Sequence, residues 1–253
     1  MFRAVWLHDA WGNAEVTNVV VITCSRTGTA SNCLPALARH PSVKVVAVLL
    51  AKGGGANKWR HLVRKVRKIV KIGLLGAWNG RRIRPWFRAD YGDVESKCRQ
   101  FHIPFKVIQG LNSASMIEAV RDCHADLGVS LGNGYISSKV FSVPRLGMIN
   151  LHSECLPAYQ NAQSIIWPIY CRDPHSGFTI HEIDRKIDTG RILFQRVYDL
   201  VFYPMLEETV RRNKVRIEKD IPDAVADVCA NIENYRAQAQ IQGQGSAYTT
   251  PSF

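Results

Sequence analysis

A chain of 253 residues in which 46% are hydrophobic can bury a sizeable core, which excludes global disorder. No apolar run reaches the roughly 18–20 residues that a bilayer span requires. The opening stretch MFRAVWLHDAWGNAEVTN, with Asp9 and Glu15, has no continuous apolar segment and does not read as a signal peptide. The formal net charge of +12 favours anionic partners, namely nucleotides, nucleic acid or a membrane surface. The excess is concentrated, with eleven Lys and Arg and no Asp or Glu from residue 58 to 88. Seven cysteines, odd in number, widely spaced and without a C-x-x-C pair, suggest reduced thiols in the cytosol. They suggest neither a disulfide framework nor a metal site.

In chain order, residues 1–17 read as a loose tail. NVVVITC (18–24) is a short β-rich apolar run and predicts a buried parallel strand. A Ser/Thr/Gly turn with one glycine, Gly28, leads into a helical pattern carrying Leu34, Leu37 and Ala38. This turn is not G-x-G-x-x-G, so it does not signal a dinucleotide site. VKVVAVLLA (43–51) predicts a second buried strand, and the β-turn-α-β opening argues for a parallel α/β sheet. Residues 57–75 read as a basic amphipathic helix, and GAWNGRRIRPWFRADYGD as a Gly/Pro-broken loop. VESKCRQ predicts a helix, PFKVI a strand, and NSASMIEAVRDCHAD a Ser-capped helix. LGVSLG (127–132), MINLH and GFTIHEID (177–184) predict strands, with a short helix in SSKVFSVPRLG and another in AQSIIWPIYC. A Gly turn and a last strand follow in KIDTGRILFQRVYDL. Helices are then expected over 205–219 and in IPDAVADVCANIENYRAQAQ, and 240–253 is expected to be loop or disorder. There is no internal repeat.

Chemistry concentrates in three places. Asn150 and His152 lie two apart at the end of an apolar strand, so their side chains share a face. That is the edge at which open α/β sheets place ligands. Asp188 follows an alternating strand and precedes Thr189-Gly190, and the turn Gly132-Asn133-Gly134 ends a neighbouring strand. An amide donor, an imidazole and a carboxylate that orients it are the parts of a proton-handling site. His152 alone could be a satisfied core histidine, Asp188 a turn former, and Gly132 and Gly134 mere turn shapers. Tyr135 and Trp167 read as packing residues. His181 and Glu182 alternate with core residues, so one of them could face a cleft. Cys155 has no evident base beside it and reads as structural.

The stretch from Asp126 to Leu193, with N-x-H at 150–152 and D-x-G at 188–190, resembles the folate-dependent formyltransferase family. The resemblance implies a Rossmann-like α/β fold with a mostly parallel central sheet flanked by helices. The catalytic domain would span 18–203, and 204–253 would be a short helical extension with a flexible tail. It implies transfer of a formyl group from N10-formyltetrahydrofolate to a primary amine, without a metal. Carried onto this chain, His152 assists proton transfer, Asn150 binds the developing oxyanion, and Asp188 orients His152 or a water. Folate contacts map onto Gly132, Gly134, Tyr135, Ile136, Asp184 and Ile187. One departure is visible: the family's frequent S-L-L-P-x-(Y/W)-R-G after the histidine reads SECLPAYQNAQS here, with Gln160-Asn161 for Arg-Gly. It bears on acceptor contacts rather than on the triad.

Residues 204–253 are too few for the tRNA-binding β-barrel of the methionyl-tRNA members, and SRTGTASN matches the phosphate loop of the glycinamide ribonucleotide members poorly. The texture of 150–169 is most similar to bacterial nucleotide-sugar N-formyltransferases. These imply a GDP-, dTDP- or UDP-linked amino sugar such as GDP-perosamine, a role in O-antigen and lipopolysaccharide synthesis, a cytoplasmic location and a homodimer, with residues 205–235 as its interface. Another small amine, such as glycinamide ribonucleotide, is the alternative acceptor. A formyltetrahydrofolate hydrolase would need an extra N-terminal domain. A membrane- or RNA-binding module without catalysis is the reading from another class. For segment 58–88 three readings stay open: a solvated helix face, contact with an anionic membrane at its inner face, or contact with a substrate diphosphate or folate tail. No RNA-binding motif accompanies the charge, so nucleic acid is not an expected partner.

Overall fold

The computed structural model describes residues 16–53, 58–87, 90–161 and 164–248. The expected tail 1–17 lies outside the described residues except for Val16 and Thr17, and Thr17 already opens the first strand. Seven strands form one sheet in the order β3-β2-β1-β4-β5-β6-β7. They are β1 (Thr17–Thr23), β2 (Val43–Lys52), β3 (Phe105–Gln109), β4 (Leu127–Ser130), β5 (Met148–His152), β6 (His175–Glu182) and β7 (Ile192–Asp199). The first five pair in parallel, and β5–β6 and β6–β7 pair antiparallel. The sheet is therefore mostly parallel, as the buried apolar runs predict.

Alternation along the strands builds two apolar layers. Val19, Val21, Leu127, Val129, Ile149 and Leu151 point to one face, where α1 (Thr29–Arg39) and α3 (Val94–Gln100) pack. Val20, Ile22 and Met148 point to the other, under α4 (Ala114–Asp122) and α5 (Ser138–Phe141). Ser113 caps its helix as expected, accepting from the Met116 N–H at 3.1 Å, and Asp93 caps α3, accepting from the Ser96 N–H at 3.0 Å. Asn150 and His152 thus fall on the Met148 face, at the carboxyl end of β5.

The expectation for the basic helix changes. The segment α2 (Lys58–Ile83) is two helices joined across a kink at Gly73, so helical structure resumes through residues expected to be loop, and a 3-10 turn follows over Arg84–Phe87. Gly76 and Gly80 look like breakers in the sequence, but Gly76 is buried and Gly80 half-buried on the helix's inner side. The C-terminal segment is helical, as expected, and packs against the sheet domain. After α6 (Ile166–Tyr170) and α7 (Leu206–Glu218), α8 (Ile221–Ala230) and α9 (Ile232–Ala237) follow, and Val225, Val228 and Cys229 of α8 sit in the same apolar layer as α1 and β1. The other faces of this region stay exposed, with Met205, Leu206 and Val215 among the exposed residues. Within the tail, Gln240 pairs with Ile192, and residues 246–248 pair with Pro157 and Gln160.

Candidate active site

The chain runs from β1 outward to β2 and β3, then returns to β4 on the other side of β1. The crevice beyond the carboxyl ends of β1 and β4 is the switch point at which such sheets bind ligands. A cleft of about 590 Å³ opens there. The loop after β1 supplies Ser25 and Gly28, the loop after β4 supplies residues 132–136, β5 supplies Asn150 and His152, and the loop after β6 supplies Asp184 and residues 186–188. The structure thus brings the Asn150, His152 and Asp188 triad into one cleft with Gly132, Gly134, Tyr135, Ile136, Asp184 and Ile187, while Cys155, Trp167 and Glu182 are not among its lining.

His152 is held from both sides. Its Nε2 donates to the Tyr159 carbonyl at 2.7 Å, so the proton of the neutral ring lies on Nε2. Its Nδ1 stands 3.5 Å from Asp188 Oδ2. Burial pushes the imidazole below its ordinary value, outweighing the Asp188 carboxylate and the Tyr159 carbonyl, which pull it up. Nδ1 is therefore an available base at neutral pH. Burial alone would push Asp188 up, but its contact with His181, the charge of His152 and a 2.9 Å bond from the Asn161 N–H hold it below the ordinary aspartate value. Asp188 sits at φ 56, a left-handed conformation that Asp tolerates better than most residues.

The residue that sequence reasoning left undecided is His181. β5 and β6 are antiparallel with Asn150 opposite His181 and His152 opposite Thr179, so all four side chains share one face. His181 Nδ1 donates to the Glu182 carbonyl at 2.7 Å, which leaves Nε2 to accept from Asn150 Nδ2 at 3.2 Å. Nε2 is also 3.5 Å from Asp188 Oδ1. His181 therefore fixes which end of the Asn150 amide faces the cleft, and the second amide N–H is left for a ligand oxygen.

The unusual SECLPAYQN segment proves to be the support of this site. The Glu154 side chain is fully buried, accepts from the Ile165 N–H, and accepts from Ser176 Oγ at 3.0 Å. The Glu154 carbonyl accepts from Thr179 Oγ1 at 2.7 Å. These bonds tie the loop to β6. Asn161, standing where the family often has Gly, takes φ 52, a left-handed conformation that Asn also tolerates. The C-terminal tail completes the support: Gln160 N donates to Ser246 O at 3.0 Å, Asn161 Nδ2 donates to Tyr248 O at 3.0 Å, and the Tyr248 ring lies 4.6 Å from Trp167. Cys155 is no nucleophile here, because burial pushes its thiol up to about 12.

Burial raises the Glu154 carboxyl from 4.5 to about 7, despite the donors around it. A raised folded-state value means that its contribution to stability is complete below about pH 4.5 and is lost as pH rises through about 7. Glu154→Gln should therefore flatten the fall in stability of the wild type between pH 5 and pH 8, as read from urea midpoints. Parallel pH profiles for the two proteins would show that Glu154 does not titrate in this range.

Asn133 Nδ2 donates to the Ile22 carbonyl at 2.7 Å and to Ser130 Oγ at 3.0 Å, while its buried Oδ1 accepts nothing from the described residues. Among those residues no group of three or more His, Cys, Asp or Glu is placed to hold a metal ion.

An amide, a buried imidazole and a carboxylate at the switch point of a Rossmann-like sheet form the kind of site that moves a proton while stabilising an oxyanion. The sequence profile of the formyl transferase family matches residues 91–225, more than half of the chain, and this chain belongs to that family. Methionyl-tRNA formyltransferases of Bacteroides thetaiotaomicron and Methylacidiphilum infernorum are 29% and 38% identical to it over 108 and 101 residues, 43% and 40% of this chain. Those matches cover 34% and 32% of the relatives, so the chain spans about a third of the length of the curated proteins it matches. Among solved structures, glycinamide ribonucleotide transformylase 1 of Symbiobacterium toebii superposes with a TM-score of 0.62 at 13% identity, over 94% of this chain and 96% of that one. A sugar N-formyltransferase from a Shewanella species gives 0.55 at 16% identity, over 91% of this chain and 76% of that one. At these identities the shared feature is the fold.

Proposed function

We propose that this chain transfers a formyl group from N10-formyltetrahydrofolate to the primary amine of a nucleotide-linked amino sugar, with GDP-perosamine as the leading acceptor, in O-antigen synthesis. The observation that carries the transferase reading is the convergence of Asn150, His152 and Asp188 in one cleft. Attack of an amine on a formyl carbon places negative charge on the formyl oxygen. The spare N–H of Asn150 meets that charge, and the amine proton passes to His152 Nδ1. Once there it lies between Nδ1 and Asp188 Oδ2, and the imidazolium can release it to the departing folate nitrogen. Tyr159, rather than Asp188, sets the ring orientation in this account.

The folate side is supported by the loop 132–136, which lines the cleft with Gly132, Gly134, Tyr135 and Ile136. Asp184 shapes its own loop, accepting from Lys186 N at 2.9 Å and from Thr189 Oγ1 at 2.7 Å. The acceptor side is supported by Phe87 and Tyr91, flat surfaces for a base or sugar, and by the hydroxyls of Ser25, Thr27 and Thr29 beside Gly28. A homodimer belongs to the same proposal, through the outer face of α7, where Val215 is exposed. So does a cytoplasmic setting, since all seven cysteines are free.

The test is an acceptor screen. The protein is incubated with N10-formyltetrahydrofolate and GDP-, dTDP- and UDP-linked amino sugars, with glycinamide ribonucleotide and methionyl-tRNA in parallel. A formyl mass gain on an amino sugar supports the proposal. A gain on glycinamide ribonucleotide or methionyl-tRNA alone would move the acceptor while keeping the chemistry.

A further inference from the structure

The second half of α2 is amphipathic in the wrong sense for a helix that only covers a core. Beyond Gly73, the buried Gly76 and Ile83 and the half-buried Gly80 recur at positions i, i+4 and i+7 and turn toward the body. The large apolar side chains point outward instead, with Leu74 80% exposed, Leu75 76% and Trp78 64%. Val66 and Val70, on the preceding half, are exposed as well. Arg82 stacks between Trp78 and Trp86, 5.6 and 5.7 Å from the two rings, which fixes a cation beside the apolar patch. Arg81, Arg82 and Arg84 beside it are exposed, and the sequence from 58 to 88 carries eleven Lys and Arg and no Asp or Glu. Among the described residues no helix is long and apolar enough to cross a membrane.

We propose that this face of α2 docks on an anionic lipid surface, with Leu74, Leu75 and Trp78 entering the interfacial zone and the surrounding cations meeting headgroup phosphates. Two alternatives fit less well. A symmetric contact with a second copy would set two uncompensated basic segments against each other. RNA would answer the charges but leave two leucines and two valines in water. An anionic bilayer takes both, as basic amphipathic helices with Leu and Trp on the apolar face do. The inference is independent of the acceptor. The 3-10 turn that follows α2 ends at Phe87, which lines the cleft, so such a seat would adjoin the site.

Sedimentation of the full chain with vesicles tests this, using phosphatidylcholine alone and phosphatidylcholine with about a third phosphatidylglycerol at near-physiological salt. Binding to the anionic vesicles only is expected. L74S/L75S/W78S should weaken that binding by about a hundredfold or more, and neutralising Arg64, Lys65, Arg67 and Lys68 should abolish it. Thermal melts of both variants would show whether they fold. Failure of the wild type to bind anionic vesicles would overturn the proposal. So would equal binding to neutral vesicles, or undiminished binding by the folded apolar variant. A preference for an RNA oligonucleotide over vesicles at the same salt, or a vesicle-free dimer lost in L74S/L75S/W78S, would overturn it in favour of that partner.

Discussion

Replacing His152 with Ala, or Asn150 with Ala, should lower formyl transfer by about two to four orders of magnitude while leaving a folded protein. His152→Ala removes the ring whose Nδ1 stands 3.5 Å from Asp188 Oδ2 at the cleft wall. Asn150→Ala removes the N–H that His181 has turned toward the cleft, and leaves His181 Nε2 without its amide donor. Because the two residues serve one step, the double variant should lose little more than either single one. The pH dependence follows from the burial of His152. The base must be neutral to act, and its folded value lies below the ordinary histidine value, so the rate should fall on acidification only below about pH 6.5. Asp188→Asn removes an influence that raises His152, so it should lower the plateau and move the acid limb to still lower pH. Near-normal turnover in either alanine variant would contradict the site.

A second large effect is expected at Gly190, the last residue of the D-x-G turn. A Cβ there would lie 1.9 Å from the Glu182 carbonyl oxygen and 2.7 Å from its carbon, which no rotamer change can relieve because both are backbone atoms. The Glu182 N–H donates to Arg191 O at 3.0 Å there, and the Glu182 carbonyl accepts from His181 Nδ1 at 2.7 Å. Gly190→Ala should thus displace Asp188 and His181 together. A loss of about 3 kcal/mol of stability is expected, from the cost of forcing backbone apart. An activity loss of about a hundredfold should remain at temperatures where the variant is still folded. Gly243, with nothing within 4 Å of a built Cβ, is the matched control, and Gly243→Ala should leave both quantities unchanged. Differential scanning calorimetry and turnover on the same preparations would check the pair. A Gly190→Ala protein with wild-type melting would mean that the turn has room the geometry denies.

The triad was legible because its signals are local. Asn150 and His152 are two apart at the end of an apolar run, and Asp188 precedes a Thr-Gly turn. His181 was not legible, because its place depends on the register of β6 against β5, and alternation within one strand does not reveal register. The same holds for Glu154, a charged residue in a presumed loop whose partners, Ser176 and Thr179, lie on that same distant strand. In α2, Gly76 and Gly80 have the composition of a loop, yet they lie in helix with Gly76 buried and Gly80 half-buried, so propensity alone misplaced the segment. The Gln/Gly/Ser tail has no apolar periodicity to betray it. It is held by amide groups, Gln242 Nε2 on the Gly190 carbonyl at 2.6 Å among them.

The central claim is that Asn150, His152 and Asp188 form one formyl-transferring site. Its most direct test is single-turnover mass spectrometry of an amino-sugar acceptor with N10-formyltetrahydrofolate, comparing the wild type with His152→Ala at equal enzyme concentration. The account predicts a formyl mass gain on the amine with the wild type and almost none with the variant. No gain on any amine with the wild type, or equal gains with both proteins, would contradict it.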